Sequence, residues 1–144
     1  MRAGGCARLC RMAIFTLTQL EQAIRAGWGV DTCAPEDVPD WHAGNPARGQ
    51  CGVTALVVHD LLGGDLMCGE VHVDGVRTDY HWWNRLSGGL EVDLTREQFR
   101  PEEIVTAGTA VVRPPAINRL RDEYELLRSR VLTALPAPDP GGPV

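Results

Sequence analysis

Three side chains in this sequence have the types and the order needed for nucleophilic chemistry. Cys51 opens an apolar run just after the chain breaks at Asn45-Pro46 and Arg48-Gly49, His81 heads His81-Trp82-Trp83-Asn84, and Asp93 lies in Glu91-Val92-Asp93-Leu94-Thr95. A thiolate, not a thiol, attacks electrophilic carbon, so a catalytic cysteine needs a group that removes its proton. A helix N-terminus favours the thiolate through its partial positive charge, and an imidazole within hydrogen-bond reach does so more strongly. A carboxylate on the far ring nitrogen then sets the tautomer and orientation of the imidazole. The expectation is a Cys51-His81-Asp93 triad whose thiol has a lowered pKa and is alkylated quickly near pH 6.

Each residue also has an ordinary reading. A lone cysteine is more often a small buried apolar side chain, a lone histidine a satisfied sheet residue, and Asp93 serves equally well as a cap for the turn beginning at Thr95. The helix-start position of Cys51 and the two later partners favour the triad. His42, His59 and His72 have no comparable arrangement, and His59 reads as a solvent-facing neighbour of Asp60. A Cys51/His81/His72 metal set matches no zinc spacing, and Cys6 and Cys10 lack a second pair to complete a site, so neither metal nor cofactor is expected. Cys33 and Cys68 read as structural. Trp28, Trp41, Trp82 and Trp83 are dense for a chain of this size; core packing accounts for two, and the others are available to line an apolar cleft.

The chain has 144 residues, the size of one domain, with a formal net charge of -5. All 14 basic residues are Arg and they are scattered among acids, which gives no basic patch for nucleic acid. No apolar run is long enough for a bilayer, so no membrane partner is expected. An odd number of cysteines and an opening without the charged-then-apolar order of a secretory signal point to a reducing, cytoplasmic setting. Residues 1–11 read as a disordered extension ahead of a natural start at Met12, residues 12–135 as a single α+β domain, and residues 136–144 as a disordered tail.

The elements follow from pattern. Thr18-Gln19-Leu20-Glu21 has the form of a capping box, Leu20, Ala23 and Ile24 share a helical face, and Gly27 ends that helix. Residues 28–49 form a long loop, and Cys51 to Leu62 a largely buried helix stopped by Gly63-Gly64. Residues 66–73 alternate as an edge or half-buried strand, Thr78 to Leu86 form a second strand, and Leu90 to Leu94 return after Ser87-Gly88-Gly89. A three-residue loop there sets Leu86 opposite Leu90 and Trp83 opposite Asp93, which puts His81 and Asp93 on one face; a two- or four-residue loop would separate them. Thr95 to Gln98 forms a second capping-box pattern, residues 109–113 a further strand, and residues 116–135 an amphipathic helix through Ile117, Leu120, Tyr124, Leu127, Val131 and Leu135.

Cysteine at a helix start followed by His and Asp on successive antiparallel strands resembles the transglutaminase-like branch of the papain-like superfamily, over roughly residues 45–98. More narrowly, Gly49-Gln50-Cys51, Thr54-Ala55-Leu56-Val57-Val58, His81-Trp82-Trp83-Asn84-Arg85-Leu86 and Glu91 to Phe99, with Tyr124-Glu125-Leu126-Leu127, are similar to the small bacterial YunG-like proteins. The resemblance implies an α+β papain-like (transglutaminase-like) core, in which a helix carrying Cys51 at its N-terminus packs on a small antiparallel sheet beside a C-terminal amphipathic helix. It also implies the triad, but no substrate. Papain-like peptidases place an oxyanion-hole Gln several residues before the cysteine, whereas Gln50 directly precedes it here. The hole is therefore assigned to the Cys51 N–H with Gln50 or Trp41, and Trp83 and Asn84 are taken as substrate-binding. The expected activity is cysteine-dependent acyl transfer through a thioester, as hydrolase, deamidase or amide-forming acyltransferase, on a small-molecule or peptide substrate. The alternative is a non-catalytic binding module whose Trp-lined groove holds a peptide or small ligand.

Overall fold

The computed structural model describes residues 14–136. The proposed extension with Cys6 and Cys10, the start at Met12 and the tail after Pro136 lie outside the described residues. Helix α1 (Leu17–Gly27) begins at Thr16, whose hydroxyl accepts the Gln19 N–H at 3.1 Å while Gln19 Oε1 accepts the Thr16 N–H at 2.8 Å. The capping box is thus Thr16/Gln19 and not the expected Thr18/Glu21. Both pairs spell the same pattern, and the earlier one starts the helix, which leaves Thr18 exposed on its surface. Leu20, Ala23 and Ile24 are buried as expected, and the helix ends at Gly27.

The loop from Trp28 to Gln50 is ordered by a 3₁₀ turn (Pro35–Asp40) and by the Ala34 N–H donating to Gly49 O at 2.9 Å. It delivers the chain to helix α2 (Cys51–Leu62), which buries Val53, Thr54, Ala55, Val57 and Val58. Strands β1 (Asp65–Val73) and β2 (Val76–Arg85) form a hairpin in register from Asp65 opposite Arg85 to Val73 opposite Val76, with a bulge after Val71. Asp74 and Gly75 make its two-residue turn, both at positive φ (51° and 78°), a geometry that follows strand twist. Beyond β2 lies β3 (Glu91–Val92); on the far edge of β1 lie β4 (Ile104–Val105) and β5 (Thr109–Val111). β1 is therefore an interior strand of the sheet, and of the two expected readings, edge or half-buried, it is the half-buried one. Of its outer partners, β5 falls within the strand expected at residues 109–113, and β4, two residues long, is too short to show any alternation in sequence.

Helix α3 (Arg121–Ala134) begins five residues after the expected Ala116, because Leu120 adopts a left-handed conformation (φ 60°) that no continuous helix contains. Ile117 and Leu120 still pack against the core, from the connecting segment instead of from the helix. The core lies where α1, α2 and α3 meet, around Leu20, Ile24, Val53, Val57, Leu127 and Val131. α2 also packs on β2, where Asn84 Nδ2 donates to Ala55 O at 3.0 Å. Among the described residues no helix is long and apolar enough to cross a membrane.

Leu127 is fully buried between α1 and α2, whereas Leu132 on the same helix is 44% exposed. Leu127→Ala should cost about 2–5 kcal/mol in urea unfolding, through lost burial and a residual cavity. Leu132→Ala should stay within about 0.5 kcal/mol of wild type; equal losses would mean that α3 does not dock as described.

Candidate active site

The β2–β3 turn decides the site. Leu86 N–H donates to Leu90 O at 2.7 Å, and Asn84 and Arg85 pair with Val92 and Glu91, so Ser87-Gly88-Gly89 is a three-residue loop. Gly88 and Gly89 take its positive φ values of 92° and 93°. The parity of this register puts His81 and Asp93 on one face, and their side chains meet with His81 Nε2 at 2.7 Å from Asp93 Oδ2. Asp93 Oδ1 accepts the Thr95 N–H at 3.3 Å, so the two readings of this carboxylate, imidazole partner and turn cap, hold together. The capping box expected on Thr95 does not form, since the Thr95 side chain makes no cap to the 3₁₀ turn Arg96–Gln98.

His81 is 0% exposed. Trp83 stacks on it with centroids 5.3 Å apart, and Phe99 meets it edge-on at 4.7 Å. Trp83 can lie there because Gly69 and Gly108 back its indole; a Cβ on Gly108 would fall 2.3 Å from Trp83 Cζ2. A carboxylate only accepts hydrogen bonds, so Nε2 carries the ring proton and Nδ1 holds a bare lone pair. That Nδ1 is buried and has no hydrogen-bond partner among the described residues. A buried acceptor left open in this way is uncommon and calls for a chemical reason.

Cys51 is the first residue of α2, and its thiol lies against the backbone N–H of Trp82, the residue after His81. Burial pushes the thiol up to about 12; the Trp82 N–H works the other way, and the carboxylates of Asp79, Asp37 and Asp93 add to the rise. This overturns the expectation of a low-pKa thiolate. A helix N-terminus typically contributes about 0.3–1 kcal/mol, too little to offset desolvation of a charged sulfur. Among the described residues Cys51 and His81 share no hydrogen bond, and burial keeps the thiol protonated near neutral pH. Cys33, also buried, is pushed up to about 11 for the same reason.

The other expected site residues have structural partners. Gln50 is fully buried, with Nε2 donating to Gly29 O at 2.9 Å and Oε1 accepting the Thr32 hydroxyl at 2.8 Å. Trp41 Nε1 donates to Pro46 O at 3.2 Å. Both side chains brace the loop ahead of Cys51, and neither is free to serve an oxyanion. Asn84 Nδ2 is bonded to Ala55 O, and Trp83 backs His81 while its Nε1 donates to Glu91 at 3.2 Å; Trp83 also lines an open cavity together with Asp93. The open donors are instead the Cys51, Gly52 and Val53 N–H groups, which have no acceptor among the described residues; Thr54 N–H to Gln50 O is the first bond of the helix.

Gln98 braces the site, a part not expected of it. It is buried, its Oε1 accepts the Gly49 N–H at 3.1 Å and its backbone O accepts Asn45 Nδ2 at 3.0 Å, which ties the Asp93 segment to the loop preceding Cys51. Only its three-residue spacing from Thr95 marked it, and that signal pointed to a cap. The remaining histidines lie elsewhere: His72 pairs with Glu70 at 3.1 Å, His59 with Gly64 O at 3.2 Å, and His42 accepts the Gly44 N–H. Among the described residues no group of three or more His, Cys, Asp or Glu side chains is placed to hold a metal ion.

Residues 16–136 match the protein family described as YunG protein, a span that contains both helix α2 and the β2–β3 hairpin. The chain belongs to the YunG family. Within that family it is 40% identical over 60 residues to "Uncharacterized protein YunG" of Bacillus subtilis (strain 168). That alignment covers 42% of this chain and 47% of the relative, so it spans about half the length of the curated YunG protein. No solved structure matches the chain.

The raised thiol of this YunG-family chain has a sign that stability can report. Below the ordinary thiol pKa of about 8.5 both folded and unfolded states keep the proton, and the contribution is fully present. As pH rises, the unfolded state ionises first, so stability is lost progressively toward about 12, the folded value. Urea midpoints measured from about pH 7.5 to 10 should fall more steeply in wild type than in Cys51→Ala. Parallel slopes would show an ordinary thiol.

Proposed function

We propose that this chain is a cysteine-dependent acyl-transfer enzyme of papain-like, transglutaminase-like architecture, with Cys51 as nucleophile, His81 as general base and acid, and Asp93 as the group that orients His81. The observation that supports this reading most is the bare, buried Nδ1 of His81, opposite an Nε2 committed to Asp93 and one residue from the N–H that touches the thiol.

The chemistry starts from a neutral pair. When an acyl donor enters, Nδ1 takes the thiol proton as Sγ bonds to the carbonyl carbon, and the open N–H groups at the start of α2 stabilise the oxygen that becomes negative. The bond to the leaving group then breaks, the imidazolium gives that group its proton, and a Cys51 thioester remains. Water or an amine attacks the thioester, Nδ1 takes the proton of the incoming nucleophile, and Sγ leaves and is reprotonated. Proton transfer during attack suits a thiol held near 12 better than a standing thiolate–imidazolium pair does.

The same high thiol pKa, with the missing Cys51–His81 hydrogen bond, favours a second reading, a non-catalytic binding module. Its groove would hold fewer tryptophans than expected: Trp28 is buried with Nε1 donating to Thr54 at 2.9 Å, Trp41 and Trp83 are committed as above, and Trp82 alone lines the apolar cleft beside α2.

Formation of acyl-Cys51 from p-nitrophenyl acetate, read by intact mass and site-assigned fragments, separates the two readings. His81→Ala should slow it by about 10²–10⁴-fold, the typical worth of a general base. Asp93→Asn should slow it by up to about 10⁴-fold by misplacing the ring proton. Equal, slow acylation of wild type and His81→Ala would leave the binding module.

A further inference from the structure

From the shape of the space that opens at Gly52, the residue after Cys51, we infer that the acyl group of the substrate is a small ring or short branched chain, seated in an apolar cavity between α2 and the segment leading into α3. This inference rests on the acyl-transfer reading and names its substrate class.

The cavity measures about 160 Å³ and is walled by Gly52, Ala55 and Leu56 of α2, Trp82 of β2, and Ile117 and Leu120 of the connecting segment. Two of these residues belong to the surroundings of the thiol: Gly52 follows Cys51 and carries one of the open N–H groups, and the backbone N–H of Trp82 touches the sulfur. Cys51 itself does not line the cavity, so a bound acyl group would have its substituent among carbon atoms and its carbonyl directed past Gly52 toward the start of α2. An engineered apolar cavity of about 150 Å³ holds one benzene molecule, so the space here fits a group of about six carbons, and the rest of a longer chain would lie outside it in solvent.

Two local features keep the cavity open. Leu120 takes a left-handed conformation uncommon for a branched side chain, which turns it toward α2 instead of continuing α3. Opposite it stands Gly52, where a Cβ would meet only Leu120 Cδ1, at 3.5 Å. Any longer side chain at position 52 would occupy the cavity. At the rim, Arg119 is ion-paired with Glu36 of the 3₁₀ turn, so its charge is neutralised and the polar boundary stays outside the apolar space.

The test compares p-nitrophenyl acetate, benzoate and decanoate as acyl donors, each rate of Cys51 acylation normalised to the same ester's reaction with N-acetylcysteine. In every case Sγ–C forms, the bond to p-nitrophenolate breaks, and the thiol proton passes to His81 Nδ1 and then to the departing phenolate. The expected result is a preference for benzoyl over both other groups of at least about tenfold, the loss expected for misfitting one or two methylenes. Gly52→Leu, a favourable substitution inside a helix, should collapse that preference, and Leu120→Ala should shift it toward a naphthoyl ester. A separate measurement follows the Trp82 indole N–H resonance of Cys51→Ala as benzamide is added, with acetamide as control. Movement with benzamide that Gly52→Leu abolishes upholds the cavity even if no ester acylates Cys51, in which case the catalytic reading alone falls. Acylation of Cys51 without acyl preference and without indole movement overturns the cavity while leaving the acyl-transfer reading in place.

Discussion

A fully buried imidazole has two nitrogens to satisfy, and His81 has a partner for one. The short bond from Nε2 to Asp93 is the interaction on which the rest of the site depends, because it fixes which nitrogen holds the proton and which is left with a lone pair. It exists only because the β2–β3 connection has an odd number of residues. A one-residue change in Ser87-Gly88-Gly89 would turn Asp93 to the other face and leave the ring with no partner at all, unless a bulge restored the parity. Trp83 and Phe99 close the ring off from water, which strengthens the bond to Asp93 and makes the open Nδ1 more conspicuous.

The same dryness acts in the opposite sense on sulfur. Desolvation that favours a strong His81–Asp93 bond disfavours a thiolate at Cys51, and three carboxylates within electrostatic range add to the effect. The thiol of Cys51 therefore stays protonated, a buried sulfur at the start of α2. The loop ahead of Cys51 is built to hold that arrangement. Gln50, Thr32 and Gly29 are joined by hydrogen bonds within the loop, and Gln98 ties it to the segment that carries Asp93, so Cys51 and Asp93 are braced by one network.

Much of this was legible in the sequence wherever a signal was periodic or punctuated. The bounds of α2 follow from Gly49-Gln50 and Gly63-Gly64, and the His81–Asp93 face follows from counting residues around the turn. The misses have equally physical causes. Thr16 and Thr18 both start a Thr-x-x-Gln/Glu pattern, and local sequence does not choose between them. Ile117 and Leu120 keep the spacing of α3 while lying outside it, because a turn can bury two side chains as well as a helix can. Trp41 and Gln50 had the right chemistry for a site but were taken up by bonds within the loop, which composition cannot show. The desolvation of Cys51 was also hidden, since it depends on tertiary burial and on Asp37 and Asp79, which are distant in sequence.

The most direct measurement is the tautomer of His81, from long-range proton–nitrogen correlations of its ring in the full chain near neutral pH. The expected result is a protonated Nε2 and a bare Nδ1, with that distinction lost in Asp93→Asn. A ring protonated at Nδ1, or one whose tautomer ignores the Asp93 substitution, would contradict the assignment of His81 as the base for Cys51.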